Sequence, residues 1–195
     1  MIRTIVLFLA FILTVSILTP AQDQFAKPAV SPAVIDWVPF VAKDCGFTAS
    51  FPGTPAESTQ SGKETTTRIF SVDAKPDYYA VRYTKYRDPV VDKKAVADML
   101  NNMRTQIVAN SKGKLIDERQ IDINGWAGRE LKIAVGESTL TTRVYWVKQQ
   151  LYQVIASTPD AVKNKENIAK FFGSFSLKEK NYQSSNIAPD QNVSQ

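Results

Sequence analysis

Hydrophobic and polar positions alternate with a period of two along much of the chain, which is typical of strands with one buried face. The alternation predicts a strand at Phe47–Phe51, ended by a Pro52-Gly53 turn, and two longer strands at Thr65–Val72 and Tyr78–Tyr86. Pro76-Asp77 is a turn signal between these two longer strands. The first part of the chain therefore predicts an antiparallel meander.

The second half of the chain contains four more strand patterns. They are Leu115–Ile123, Trp126–Val135, Leu140–Val147 and Leu151–Ser157. Asn124-Gly125 predicts a tight hairpin between the first two, because both turn positions require a positive φ that Asn and Gly tolerate. The third carries large or β-branched residues on both of its faces, so we expect it to be covered on both sides.

Two stretches instead repeat with helical spacing. Asp92–Ser111 predicts an amphipathic helix that Gly113 ends, and its apolar face comprises Val96, Met99, Leu100, Met103 and Ile107. Pro159-Asp160 opens a second helix at about Ala161–Phe172, and Phe175 and Leu177 close the core as a short extended segment. The pattern as a whole predicts an α+β fold, with an antiparallel β-sheet of about six to seven strands flanked by two main helices.

The two ends of the chain have different compositions from the middle. Residues 1–21 have the basic start, apolar stretch and small terminal residues of a secretory signal peptide, with cleavage after Ala21. Residues 22–36 form a Pro/Ala-rich linker, residues 37–178 a single domain, and residues 179–195 a polar, disordered tail. The alternative is an uncleaved anchor, but the apolar stretch is shorter than the roughly 20 residues that a spanning helix needs.

Composition and charge restrict the classes of partner. Hydrophobic residues make up 44% of the chain and charged residues 22%, which favours a packed core. Loss of Arg3 with the signal leaves 23 basic residues against 19 acidic ones, a net charge of +4. The basic residues form no stripe of the kind that binds phosphates, so we expect no nucleic-acid partner.

The chain lacks the residues of most common active sites. It has no histidine and one cysteine, Cys45, which excludes a Cys/His zinc site and an intramolecular disulfide. We interpret Cys45 as a small residue beside a strand, since no histidine is present to activate it. Gly-x-Ser-x-Gly and phosphate-binding Gly-rich motifs are also missing. We therefore predict no catalytic residue, no metal and no cofactor.

Carboxylates on the predicted hairpin leave one catalytic alternative open. Glu130, with Asp117 or Asp122, would act as an acid/base pair in a carboxylate-dependent hydrolase. Interleaved arginines, Arg119 and Arg129, favour cross-strand ion pairs on a solvated face instead.

Arginines and large aromatic residues suggest a binding surface, because these residue types are enriched at interaction hot spots. The candidate ligand- or partner-binding residues are Arg82, Arg119, Trp126, Arg129, Arg143 and Tyr145. In the alternative interpretation, which we favour, the aromatic residues belong to the core and the arginines extend over it.

Three stretches resemble a known family. They are Phe47–Pro55 (FTASFPGTP), Asn124–Glu130 (NGWAGRE) and Phe171–Phe175 (FFGSF). The chain is similar, from about Asp44 to Leu177, to small exported bacterial proteins whose architecture resembles the PsbP and Mog-type α/β/α sandwich. The resemblance implies a non-enzymatic binding or assembly module. Photosystem-associated relatives bind a membrane complex and Mog-type relatives bind a small GTPase, but no residue of those interfaces can be matched to this sequence.

These observations together predict an exported, non-catalytic binding or assembly module of the cell envelope. We expect a monomer, located in the periplasm or outside the cell, without a transmembrane segment in the mature chain. Its partner would be an envelope protein or a small apolar or peptide ligand. The alternatives are the carboxylate-dependent hydrolase and a structural envelope protein with no specific ligand.

Overall fold

The computed structural model describes residues 36–87 and 92–178. The strands are β1 Trp37–Ala42, β2 Phe47–Pro52, β3 Ala56–Ser61, β4 Thr65–Ala74, β5 Asp77–Tyr86, β6 Lys114–Ile123, β7 Trp126–Val135, β8 Ser138–Val147, β9 Gln150–Thr158 and β10 Ser176–Leu177. The helices are α1 Lys93–Ser111 and α2 Lys165–Ser174. The predicted signal peptide, almost all of the linker and the C-terminal tail lie outside the described residues.

The central sheet contains seven antiparallel strands in the order β3-β4-β5-β9-β8-β7-β6. Its size agrees with the predicted six to seven strands. The β6–β7 hairpin turns at Asn124 and Gly125, whose φ values are 52° and 79°. This confirms the predicted two-residue turn and with it the register of the ladder, in which Ile123 faces Trp126.

One face of the central sheet is closed by a second, smaller layer. The sheet β1-β2-β10 and helix α2 pack there around a core rich in aromatic rings. Phe47 is fully buried and lies against the rings of Phe70, Tyr152 and Phe175 at centroid distances of 5.4 to 6.3 Å. Aromatic pairs at these distances add to the stability that comes from apolar burial.

Helix α1 covers the opposite face. Leu100 is buried there against Val144, Trp146 and Leu151 of the sheet. The rest of the predicted apolar stripe packs around Leu100 and is only partly buried: Val96, Met99, Met103 and Ile107. Strand β8 thus lies between the two layers, which confirms the prediction that both of its faces are covered.

The structure differs from the sequence prediction at four elements. β2 was predicted to form a meander with the two long strands that follow, but it pairs with β1 and β10 in the smaller sheet, and β3 lies beside β4 instead. β1 and β3 were not predicted as strands: β1 contains Pro39, and β3 is exposed throughout, so neither shows a regular apolar alternation. Helix α2 begins at Lys165 rather than Ala161. The reason is a turn, because the Asp160 side chain accepts a hydrogen bond from the Lys163 amide at 3.0 Å, and the Asn164 amide group donates to the Asp77 carboxylate.

Gly128 lies where β7 passes very close to β8. A Cβ atom at this position would lie 2.6 Å from the Tyr145 ring and 2.6 Å from the Val144 carbonyl oxygen. At Gly173 of α2, by contrast, an added Cβ atom would have no neighbouring heavy atom within 4 Å.

We expect Gly128→Ala to destabilise the protein by about 1–3 kcal/mol, because the backbone of β8 must shift to admit the methyl group. Gly173→Ala is the matched control and should stabilise it by about 0.5 kcal/mol, since alanine lowers the entropy of the unfolded chain. Urea denaturation of both variants measures the difference. Equal stability of the two variants would contradict the close packing at Gly128.

Candidate functional site

The first turn of α1 is held in place by a side-chain cap. The Asp92 carboxylate accepts a hydrogen bond from the Ala95 amide at 2.9 Å. Such an N-cap satisfies an amide that would otherwise lack a partner, and it defines the residue at which the helix begins. The cap therefore makes Lys93 the first helical residue.

A cavity of about 600 Å³ lies between the N-terminal half of α1 and the end of the β6–β7 hairpin. The short side chains of Ala97 on α1 and Ala127 on β7 leave this space open where longer residues would fill it. The lining is mainly apolar and includes both Trp126 and Trp146. The remaining lining residues are Lys93, Val96, Leu100, Gln120, Ile121, Gly125, Gly128 and Arg129.

An ion cluster borders the cavity on the α1 side. Glu118 accepts hydrogen bonds from Arg129 and from Arg104, the latter at 3.1 Å. Arg129 also donates to the side-chain oxygen of Asn101 on α1. Burial raises the pKa of Glu118, but the hydrogen bonds and charges of the two arginines outweigh it and hold the pKa below its ordinary value. The cluster therefore ties α1 to the hairpin and keeps a net positive charge.

A second ion cluster lies on the opposite face of the same hairpin. The buried Glu130 carboxylate pairs with Arg119 at 2.7 Å and with Arg143 at 2.6 Å. The Arg143 guanidinium also lies 4.6 Å from the centre of the Phe172 ring. Burial raises the pKa of Glu130, and the hydrogen bonds from Arg119 and Arg143 lower it by more, so the carboxylate stays ionised at neutral pH.

The structure divides the six candidate binding residues between the two faces of the central sheet. Side chains alternate along a strand, so Arg129 points to the α1 face while Arg119 and Arg143, which both lie opposite Glu130, point to the other. Tyr145 is on the face of Arg143 and stacks on Phe175. The six residues therefore do not line one concave patch, which corrects that part of the sequence interpretation.

Two of the six candidates, Trp126 and Arg129, line the cavity. Arg82 lies on the same face as Arg129 but on β5, three strands from β7, or roughly 14 Å at the usual strand spacing. Tyr145 and Trp146 are buried, in agreement with the interpretation of these aromatic residues as core.

Sequence reasoning missed the α1 side of the cavity. Val96 and Leu100 belong to the apolar stripe that was assigned to packing, and Lys93 and Ala97 carry no motif. The sequence identified the short residues Gly125, Ala127 and Gly128 only as parts of a hairpin turn and of the NGWAGRE stretch. No local pattern distinguishes a stripe that packs completely from one that leaves a gap.

Cys45 is a buried thiol on the far side of the sheet from the cavity. Burial raises its pKa, and its carbonyl oxygen accepts a hydrogen bond from the Tyr152 hydroxyl at 2.7 Å. A buried thiol with a raised pKa is a poor nucleophile. In residues 36–87 and 92–178 no three of the Cys, Asp and Glu side chains are grouped so that they would hold a metal ion.

The architecture matches a solved structure. The solution structure of cyanobacterial PsbP (CyanoP) from Synechocystis sp. PCC 6803 superposes with a TM-score of 0.54 at 14% sequence identity, covering 76% of this chain and 95% of that one. No family model and no curated protein sequence matches the chain. The fold is PsbP-like, as the sequence resemblance implied.

We expect Glu130→Gln to destabilise the protein by about 2 kcal/mol at neutral pH, because Arg119 and Arg143 lose their charged partner. The expected loss is moderate, since the Arg119 side chain is half-exposed to water. The pKa of Glu130 is lowered by folding, so its contribution is present above the ordinary value of 4.5 and is lost as the pH falls through the folded value. Denaturation from pH 7 to pH 3 should show the two proteins converging.

Asp117→Asn is the control for this prediction, because the 3.9 Å pair of Asp117 with Lys132 joins two half-exposed side chains. It should change the stability by less than about 0.5 kcal/mol. A Glu130→Gln variant whose stability ran parallel to the wild type over the whole pH range would show that the cluster does not stabilise the fold.

Proposed function

We propose that this PsbP-like domain is a non-catalytic binding module that takes an apolar ligand in the cavity between α1 and the β6–β7 hairpin. The observation that carries the proposal is the cavity itself, about 600 Å³ in volume and lined mainly by apolar residues with two tryptophans. Ligand sites in proteins are concave, mostly apolar and of this size. A small molecule suits such a cavity better than a protein partner, since protein interfaces are broad.

The chemistry of the cavity supports binding rather than catalysis. Among residues 36–87 and 92–178, those that line the cavity include no carboxylate, cysteine or serine. Glu130, the central residue of the hydrolase alternative, is held by two arginines on the other face of the sheet. Asp122 lies on the face opposite Glu130, so these two carboxylates cannot act as a pair. A general acid needs a raised pKa and access to substrate, and Glu130 has neither.

Export to the cell envelope is the second part of the proposal. It rests on the signal-like sequence of residues 1–21. None of the helices in residues 36–87 and 92–178 has the length and apolar character needed to cross a bilayer.

We expect the processed protein to begin at Gln22. The intact mass of the protein recovered from the envelope fraction of expressing cells measures this directly. Recovery of the unprocessed chain in the membrane fraction would contradict cleavage and indicate an anchor.

The cavity can be tested by filling it. N-phenyl-1-naphthylamine, a neutral fluorescent probe, should bind the wild-type protein, and Ala97→Trp should weaken binding at least about tenfold, because the added indole occupies the ligand volume. Ala109→Trp is the matched control, since Ala109 is an exposed residue of the same helix outside the cavity lining. Fluorescence titration of the three proteins gives the dissociation constants.

Binding that is equal in Ala97→Trp and Ala109→Trp would place the probe elsewhere. Absence of binding to the wild type would overturn the proposed function.

A further inference from the structure

In the part of the chain that the structure describes, two charged side chains line the cavity, Lys93 and Arg129, and both are basic. Lys93 lies at the first residue of α1 and is exposed. Its neighbour Lys94 pairs with Asp98 at 3.1 Å, whereas Lys93 forms no ion pair with any residue in the described part of the chain. Lys93 is thus a cation beside an apolar cavity with no ion pair to the other described residues.

The Glu118 ion cluster adds to this positive charge. Arg129 and Arg104 share a single carboxylate, Glu118, so this cluster carries one excess positive charge. The first turn of α1 contributes the positive end of the helix dipole.

Besides Glu118, two carboxylates of the described residues lie near the cavity without lining it. Asp92 is committed to capping α1 through the Ala95 amide. Asp122 is exposed and lies opposite Ala127 in the ladder. The basic groups in contact with the cavity therefore favour a ligand with a negative charge. The carboxylates that would repel such a ligand lie outside the lining or are already hydrogen-bonded.

We propose that the cavity binds an amphipathic carboxylate, a molecule with one acyl chain or aromatic body and one anionic head. The apolar body lies against Trp126 and Trp146, and the carboxylate lies near Lys93 at the start of α1. The inference rests on the proposed function and specifies the ligand class of the same site. An apolar lining with a cation at one end is an arrangement that orients such a ligand, because the head would otherwise be buried without a partner.

The test compares an acid with its neutral analogue. Decanoate and decanol compete with N-phenyl-1-naphthylamine for the wild-type protein, for Lys93→Gln and for the control Lys94→Gln. Lys93→Gln should weaken decanoate binding about threefold to fivefold, as expected for one exposed ion pair, and leave decanol binding unchanged. Lys94→Gln should alter neither ligand, because Lys94 does not line the cavity.

A second variant strengthens the comparison. Lys93→Glu should weaken decanoate binding by more than Lys93→Gln, since it places a negative charge beside the carboxylate, and added salt should reduce the difference between them. Lys93 and Lys94 are both exposed, so their substitution leaves the fold intact. Circular dichroism of each variant verifies this.

The outcomes separate the two proposals. If decanol and the probe bind, but Lys93→Gln weakens decanoate binding no more than decanol binding, the cavity remains an apolar site. The proposal that the ligand has an anionic head is then overturned. If neither ligand displaces the probe, or the probe binds Ala97→Trp as it binds the wild type, the proposed function fails and this inference fails with it.

Discussion

The two faces of the central sheet are closed by unequal amounts of the structure described for residues 36–87 and 92–178, and the cavity lies on the face with the smaller cover. One face carries a second sheet and α2, whose phenylalanine rings fill the space around Phe47. In residues 36–87 and 92–178 the other face carries α1, and a helix about 10 Å wide cannot cover seven strands that span roughly 29 Å. α1 lies mainly over β7 and β8, and the cavity lies between its N-terminal half and the end of the β6–β7 hairpin.

Local patterns in the sequence predicted much of the central sheet. Alternation and the Asn124-Gly125 turn gave the β6–β7 pairing, since both depend on residues close together in the chain. β3 could not be predicted in this way, because a fully exposed edge strand has no buried face to impose alternation. The start of α2 depends on the contact of Asn164 with Asp77, which lies 87 residues earlier in the chain.

The candidate site was less predictable than the fold. Arg119 and Arg129 are both arginines of the β6–β7 hairpin, yet the pleat of the sheet places them on opposite faces. Their ion pairs were predicted, because neighbouring strands bring opposite charges together, but the prediction of a solvated face was wrong for Glu130, which is buried. The cavity depends on how α1 is placed over the sheet, which is decided by tertiary packing around Leu100 and not by any single motif.

The two ion clusters lie back to back on one hairpin, Glu118 toward α1 and Glu130 toward α2. Separation of β6 from β7 would therefore break charged contacts on both surfaces at once. α1 has one buried side chain, Leu100, and Arg104 and Asn101 join the helix to the Glu118 cluster of the same hairpin. Both walls of the cavity thus share one set of charged contacts, and α1 cannot move away from the hairpin without breaking them.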